Sequence, residues 1–248
     1  MRRSEINAII QEGKEFLRSR QFELPPFAFW TPGQWAKAGP ECASIAAKSL
    51  GWDITDFGSG DFRSRGLFLF TIRNGTIDTG IARDNGKVYA EKIMIVEENQ
   101  VTPTHYHSFK SEDIINRGGG VLCVRLWNAA PDGRSLADTE VEVYVDSILR
   151  RLPAGSTVRV CPGSSICLTP RLYHTFWGEE GGGRLLVGEV SRVNDDSTDN
   201  FFLEPVGRFP AVDEDVEPVH LLCSDYQTFT RFPRAAPGPL PRRRDRGK

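Results

Sequence analysis

Ile6, Ile9, Ile10, Phe16 and Leu17 recur at the three-to-four spacing of a single helical face. The pattern predicts a helix starting at Glu5 with Ser4 as its cap, ended by Pro25-Pro26. Its expected role is to cover a core. An aromatic connector, FAFWTPGQW, leads to a second, short helix expected around Cys42 to Leu50. Beyond it the period changes. Phe68 to Arg73, Val88 to Val96, Val121 to Asn128, Glu140 to Val145, Thr157 to Val160 and Leu185 to Val190 alternate or run apolar over strand lengths. Turn residues separate these runs: Asn74-Gly75, Asn85-Gly86, Pro131-Asp132-Gly133 and Pro162-Gly163. Many short strands joined by hairpin turns predict an all-β sandwich or barrel rather than a parallel α/β sheet.

Composition narrows the class. Of 248 residues, 39% are hydrophobic and 26% charged, with a net charge of −2, which argues against nucleic acid as a partner. No apolar run has the length of a membrane span. The first residues, MRRSEINAIIQEGKEF, hold no uninterrupted apolar region, so no signal peptide is expected. Five cysteines without a CxxC pair make a disulfide framework unexpected, and reduced thiols suit a cytoplasmic setting. From Arg234 the chain turns rich in Pro, Gly and Arg and cannot bury a core. The expected organisation is a helical segment at 1–50, packed as one domain with a β unit at 51–233, then a disordered basic tail at 234–248.

The chemistry concentrates in THYHSFKSEDIINRGGG, residues 104–120. His105 and His107 leave a strand on one face, and Glu112 follows after a short turn. His174, one of only four histidines, sits in a second strand-like run, LTPRLYHTFW. Imidazoles and a carboxylate without a nearby thiolate suit Mn, Fe, Co, Ni or Zn. His220, in the apolar run VHLLC, reads as a packed core histidine. No P-loop, nucleophile elbow, Rossmann fingerprint or EF-hand loop is present.

His105-Tyr106-His107, Glu112 and Gly119 resemble the first motif of the cupin superfamily, with Asn99 standing in for the leading glycine. Gly163, Pro170 and His174 resemble its second motif with shifted spacing. The resemblance implies a jelly-roll β-barrel with His105, His107, Glu112 and His174 as metal ligands. More narrowly, LPPFAFWTPGQW, GWDITDFGSGDF, YAEKIM, EDIINRGGG, RLYHTFWGEE and GEVSRVNDDSTDNFF resemble the D-lyxose isomerase family of cupin sugar isomerases. That resemblance implies interconversion of D-lyxose and D-xylulose, with D-mannose and D-fructose as weaker substrates. It also implies Mn(2+) and a homodimer.

The residues can be matched to that chemistry. Lys110, two residues before Glu112, is a candidate to contact the sugar's O1 or O2. Glu189, on the Leu185 to Val190 strand, is the leading base, with an apolar barrel expected to raise its pKa. Asp195, Asp196, Glu204 and Arg208 are further candidates to bind sugar hydroxyls. Two other readings use the same ligands: an Fe(II) oxygenase, or a non-catalytic sugar-binding cupin.

Overall fold

The computed structural model describes residues 1–76, 87–195, 198–208 and 211–232. The Asn85-Gly86 turn and the basic tail lie outside these residues. Helix α1 (Arg3–Ser19) is followed by α2 (Pro32–Lys37), α3 (Ala43–Ala47) and, near the end, α4 (Tyr226–Phe229). α1 starts two residues earlier than its pattern predicts. Arg2 rather than Ser4 takes the N-cap position, without a side-chain bond, and Ser4 Oγ donates to Asp215 Oδ2 at 2.6 Å. The reason is tertiary. Arg3, fully buried, pairs with Glu214 at 2.7 Å and Asp225 at 2.9 Å, which pins the first turn against the C-terminal segment. The helix expected over Cys42 to Leu50 is shorter, and Ser49 at φ +51 breaks it before the first strand.

The strands are β1 (Gly51–Thr55), β2 (Leu67–Arg73), β3 (Tyr89–Val96), β4 (Thr102–His107), β5 (Glu112–Gly118), β6 (Leu122–Ala129), β7 (Leu136–Ala137), β8 (Val141–Val145), β9 (Ile148–Leu152), β10 (Thr157–Val160), β11 (Ser165–Leu168), β12 (Leu172–Gly178), β13 (Leu185–Arg192) and β14 (Asn200–Phe202). All ladders pair antiparallel. One sheet runs β1-β2-β3-β13-β5-β11-β8-β9 and the other β10-β6-β12-β4-β14. This is the all-β sandwich the strand pattern predicts. Strands β1, β7, β9, β11 and β14 escape the pattern. β9 is exposed along Ile148 to Arg151, and β14 has only three residues. Asn99, as its stand-in role requires, is left-handed with φ +57.

Two apolar layers hold the fold. Inside, Leu69, Met94, Ile114, Val187 and their neighbours from one sheet meet Leu122, Val124, Leu126 and Phe176 from the other. Outside the larger sheet, α1 lays Ile6, Ile9, Ile10 and Leu17 on Phe68, Phe70, Ile93 and Ile95. Strands covered on both faces read as continuous apolar runs, which is why β2 and β3 lack alternation. The RGGG run closes one end tightly. At Gly119, φ is +104, and a Cβ would lie 2.3 Å from the Arg184 carbonyl oxygen. Only glycine fits there.

Candidate metal centre and active site

β4 lies between β12 and β14 and turns its inner face to the cavity between the sheets. His105 and His107, two residues apart, share that face, and His174 is the partner of His105 on β12. A bulge follows, since Phe176 pairs with Thr102 while Pro103, with no N–H to give, falls in the extra length of β4. Nitrogen atoms of His105, His107 and His174 lie within 4.8 Å of one another, all buried. Glu112, the first residue of β5 in the opposite sheet, brings Oε1 to 3.3 Å from His107 Nε2 and 3.4 Å from His174 Nε2.

The ring orientations fit a metal. His105 Nδ1 lies 2.8 Å from the Pro103 carbonyl and His174 Nδ1 lies 3.0 Å from that of Leu172. A carbonyl only accepts, so each Nδ1 carries the hydrogen and each Nε2 keeps its lone pair. His174 Nε2 is buried without a hydrogen-bond partner, a costly state in a dry site unless a cation is coordinated there. Burial, helped by the neighbouring histidines, drives His105 well below the usual imidazole value. Burial likewise brings His174 down to about 4, against the opposing pull of Glu112. Burial alone would raise the Glu112 carboxyl, but His107 and Lys110 hold it well below the carboxylate range. Neutral His105 and His174 beside an ionised Glu112 are the protonation states a divalent ion requires.

Lys110 is not on a strand. It lies in the turn between β4 and β5, whose Phe109 and Lys110 N–H groups donate to the Asp199 carboxylate at 2.7 and 3.1 Å. The turn buries its ammonium 2.9 Å from Glu112 Oε2 and 3.0 Å from Glu189 Oε1. Glu189 therefore stands beside the candidate metal ligands, but its surroundings are not the apolar wall expected for it. Lys92, on β3, places a second ammonium 3.0 Å from the same oxygen. Asn194 Oδ1 accepts from both lysines, at 2.9 Å from Lys92 and 3.1 Å from Lys110.

Lys92 escaped the sequence reading, and Asn194 opens the polar NDD run that supplied Asp195 and Asp196 as sugar-binding candidates. The signal for Lys92 was a lone charge in the otherwise apolar KIMIV run, since a lysine buried in a strand needs a partner. Arg208 lines the cavity and donates to Asp53 Oδ1 at 3.1 Å through Nη1, with Nη2 on Oδ2. Glu204 stays outside, its side chain 74% exposed near Arg65. Asp195 is half-buried and accepts from Thr198 Oγ1 at 2.7 Å, and it does not line the cavity. Asp196 lies outside the described residues. His220 is buried elsewhere, between the Trp30 carbonyl at 3.2 Å and Lys14 Nζ at 3.0 Å.

The cavity is partly open to solvent. His105, His107, Glu112, Glu189, Lys92 and Lys110 line it together with Phe57, Leu67, Leu69, Met94, Phe176 and Phe202. Such a site holds a small polar molecule by convergent charged groups against an apolar backing. Among the described residues no helix is long and apolar enough to cross a membrane.

Comparison with known proteins agrees with this geometry. The family model for D-lyxose isomerase matches residues 1–226. A D-lyxose/D-mannose isomerase from Serratia proteamaculans is 49% identical over 231 residues, covering 92% of this chain and 99% of the relative. One from Escherichia coli O157:H7 is 48% identical, covering 92% of this chain and 100% of the relative. Among solved structures, a point mutant of L-ribose isomerase from Acinetobacter sp. DL28 in complex with L-ribose superposes with a TM-score of 0.56 at 16% identity, over 86% of this chain and 98% of that one. L-ribose isomerase from Cellulomonas parahominis matches with a TM-score of 0.56 at 17% identity, over 86% and 98%. These two share the cupin-like fold of curled antiparallel sheets. By the family match over residues 1–226 and the near-half identity along the relatives' full lengths, this chain belongs to the D-lyxose isomerase family.

Proposed function

We propose that this cavity interconverts D-lyxose and D-xylulose, and D-mannose and D-fructose more weakly, through a cis-enediol. The observation that carries the reading is the convergence of His105, His107, Glu112, Glu189 and the two ammonium groups on one cavity, with His174 in the same histidine cluster. His105, His107, Glu112 and His174 would hold a divalent ion, for which Mn(2+) is our choice. Bound there, it supplies Lewis acidity to the sugar's carbonyl and adjoining hydroxyl oxygens.

The chain's own residues then divide the work. Glu189 is the base that takes the C2 proton of the aldose and returns it to C1 of the ketose, while a proton passes from the O2 hydroxyl to O1. Lys110 and Lys92 face those oxygens as donors and counter the negative charge that develops when the C2 proton leaves. Lys110 also steadies the Glu112 carboxylate through Oε2, which leaves Oε1 directed at the histidines. Arg208, held by Asp53, binds hydroxyls farther along the sugar. Asp195, Asp196 and Glu204 remain weaker candidates for that role.

Residues 1–233 form one domain in this reading, working as a cytoplasmic homodimer. Five cysteines that form no disulfide suit a reducing compartment. Light scattering on the purified protein tests the dimer.

The deciding assay strips the metal, restores Mn(2+) and offers D-lyxose, D-mannose, D-xylose and L-ribose, with His107→Ala as control. Metal-dependent ketose from D-lyxose, absent in the variant, supports the proposal. Oxygen uptake with Fe(II) and no ketose would replace it by the oxygenase reading. Sugar binding without turnover would replace it by the binding-cupin reading.

A further inference from the structure

The two lysines and Glu189 are arranged by a pair of asparagines outside the cavity wall. Asn74 follows directly on β2, and Asn194 lies two residues beyond β13. β2 and β13 flank β3 on either side, so the two asparagines meet across the starting end of β3. The buried Asn74 carboxamide behaves there as a substitute peptide. Its Nδ2 donates to the Asn194 carbonyl at 2.9 Å, and its Oδ1 accepts from the Asn194 N–H at 3.0 Å. This reciprocal pair has the pattern of a narrow antiparallel ladder position, supplied by a side chain where no strand is available. Gly75 makes the approach possible, because a Cβ there would lie 2.7 Å from Val193 Cγ2 and 2.3 Å from the Lys87 carbonyl oxygen.

With its main chain held at both polar groups, Asn194 presents Oδ1 to Lys92 Nζ at 2.9 Å and Lys110 Nζ at 3.1 Å. Glu189 Oε1 contacts the same two nitrogens at 3.0 Å each. Lys92 is thus set by one charged and one neutral acceptor, and Lys110 by the two carboxylates of Glu112 and Glu189 together with the same neutral acceptor. The neutral acceptor adds direction without adding charge, so Glu189 and Glu112 remain the carboxylates that face these lysines. Long lysine stems carry much rotamer freedom, and a single carboxylate contact fixes a point charge poorly. A second acceptor on a braced backbone removes that freedom. Displacements of about 1 Å at a reacting group cost on the order of 10²-fold in rate.

We propose that Asn194, braced by Asn74, is a positioning residue that holds the Lys92 and Lys110 ammonium groups against Glu189. The inference rests on the isomerase reading for its kinetic consequence but not for its structural one.

The test uses full-length, metal-loaded protein with Asn194→Ala, Asn74→Ala and the double variant. Asn194→Ala is expected to lower kcat about 10- to 100-fold with KM changed less than about 3-fold. It should enlarge the isotope effect on sugar deuterated at C2, since proton transfer becomes slower. Asn74→Ala should fall in the same direction, and the double variant should lose no more than Asn194→Ala alone, because both act through one contact. Unchanged kcat in Asn194→Ala, or losses that multiply in the double variant, overturns the proposal.

A crystal structure of Asn194→Ala separates the proposal from the isomerase reading. One or both ammonium groups should move from Glu189 by about 1 Å or more, even if no sugar is turned over. Lysines that keep their positions refute the clamp, whatever the substrate. Asn74→Asp supplies a variant of nearly unchanged shape that cannot donate to the Asn194 carbonyl, so its defect should resemble that of Asn74→Ala.

Discussion

Lys92 and Glu189 are partners in the β3–β13 ladder, and the lysine ammonium rests 3.0 Å from the glutamate's Oε1. Both side chains are almost wholly buried. Glu189 keeps Lys110 at 3.0 Å if Lys92 is lost, whereas the two lysines lose a shared counter-charge if Glu189 is lost. Removing a partner from a buried ion pair costs about 3–5 kcal/mol when no substitute exists. Glu189→Ala should therefore destabilise the fold more than Lys92→Met. Urea titrations of both variants check the order, and a reversed ranking contradicts this arrangement of charges.

Glu189→Gln keeps the shape of the side chain and removes the base. A loss of about 10²- to 10⁴-fold in kcat is expected, the range of a general acid–base group. Metal content should stay unchanged, because Glu189 is not among the donors that face the histidines. Ketose formation with parallel metal analysis reads both quantities. Full turnover in Glu189→Gln would assign the proton transfer elsewhere.

Metal binding should stabilise the fold as well as enable turnover. A ligand that binds only the native state at 100 times its dissociation constant adds about 2.7 kcal/mol. Stripping the protein with a chelator should lower Tm, and restoring Mn(2+) should recover it. In His174→Ala the recovery should shrink or vanish, because His174 Nε2 is a donor turned into the cluster. A metal-induced rise in Tm undiminished in that variant would exclude His174 from the ligand set.

His220 supplies a pH dependence away from the metal. Burial depresses its pKa below the ordinary histidine value, and nearby Lys14 adds to the effect while the Trp30 carbonyl opposes it. A base with a depressed native pKa binds fewer protons folded than unfolded. Its contribution is present above the unfolded value of about 6.5 and is lost as pH falls from there toward the native value. Metal-loaded protein should lose stability between pH 7.5 and pH 5.5, and His220→Gln should flatten that slope. An equal slope in the variant would show that other groups carry it.

Asn116, within the INRGGG run, is fully buried. Its Nδ2 donates to the Gly120 and Val160 carbonyls at 2.9 Å each, and its Oδ1 accepts from the Gly118 N–H at 3.0 Å. Asn116→Ala strands three backbone groups, at about 1–3 kcal/mol for each that water cannot reach. Denaturant unfolding should show a loss of several kcal/mol, with metal affinity at saturating Mn(2+) little changed. A loss under about 1 kcal/mol would mean the carbonyls find other partners.

Much of this molecule is legible along the chain, because strand period is local. The HxH spacing alone turns His105 and His107 to one side, and the apolar runs locate β2, β3, β6, β8, β10 and β13 within about two residues. Two of the strands that escaped are exposed or short: β9 is solvent-facing and β14 is three residues long, so neither carries a burial signal, whereas β1 is buried along its length and escaped all the same. The early start of α1 was hidden for another reason. It depends on Arg3 meeting Glu214 and Asp225, more than 200 residues away.

The sequence by itself determined which residues are the candidates for metal binding and proton transfer, since residue type and spacing set donors and facing. Only the tertiary structure decided the company they keep. Ladder register places Lys92 beside Glu189, a turn tied down by Asp199 buries Lys110, and Asn74 reaches across β3 to brace Asn194. Pairing between strands distant in sequence is set by the summed burial of two sheets, so no local pattern records it.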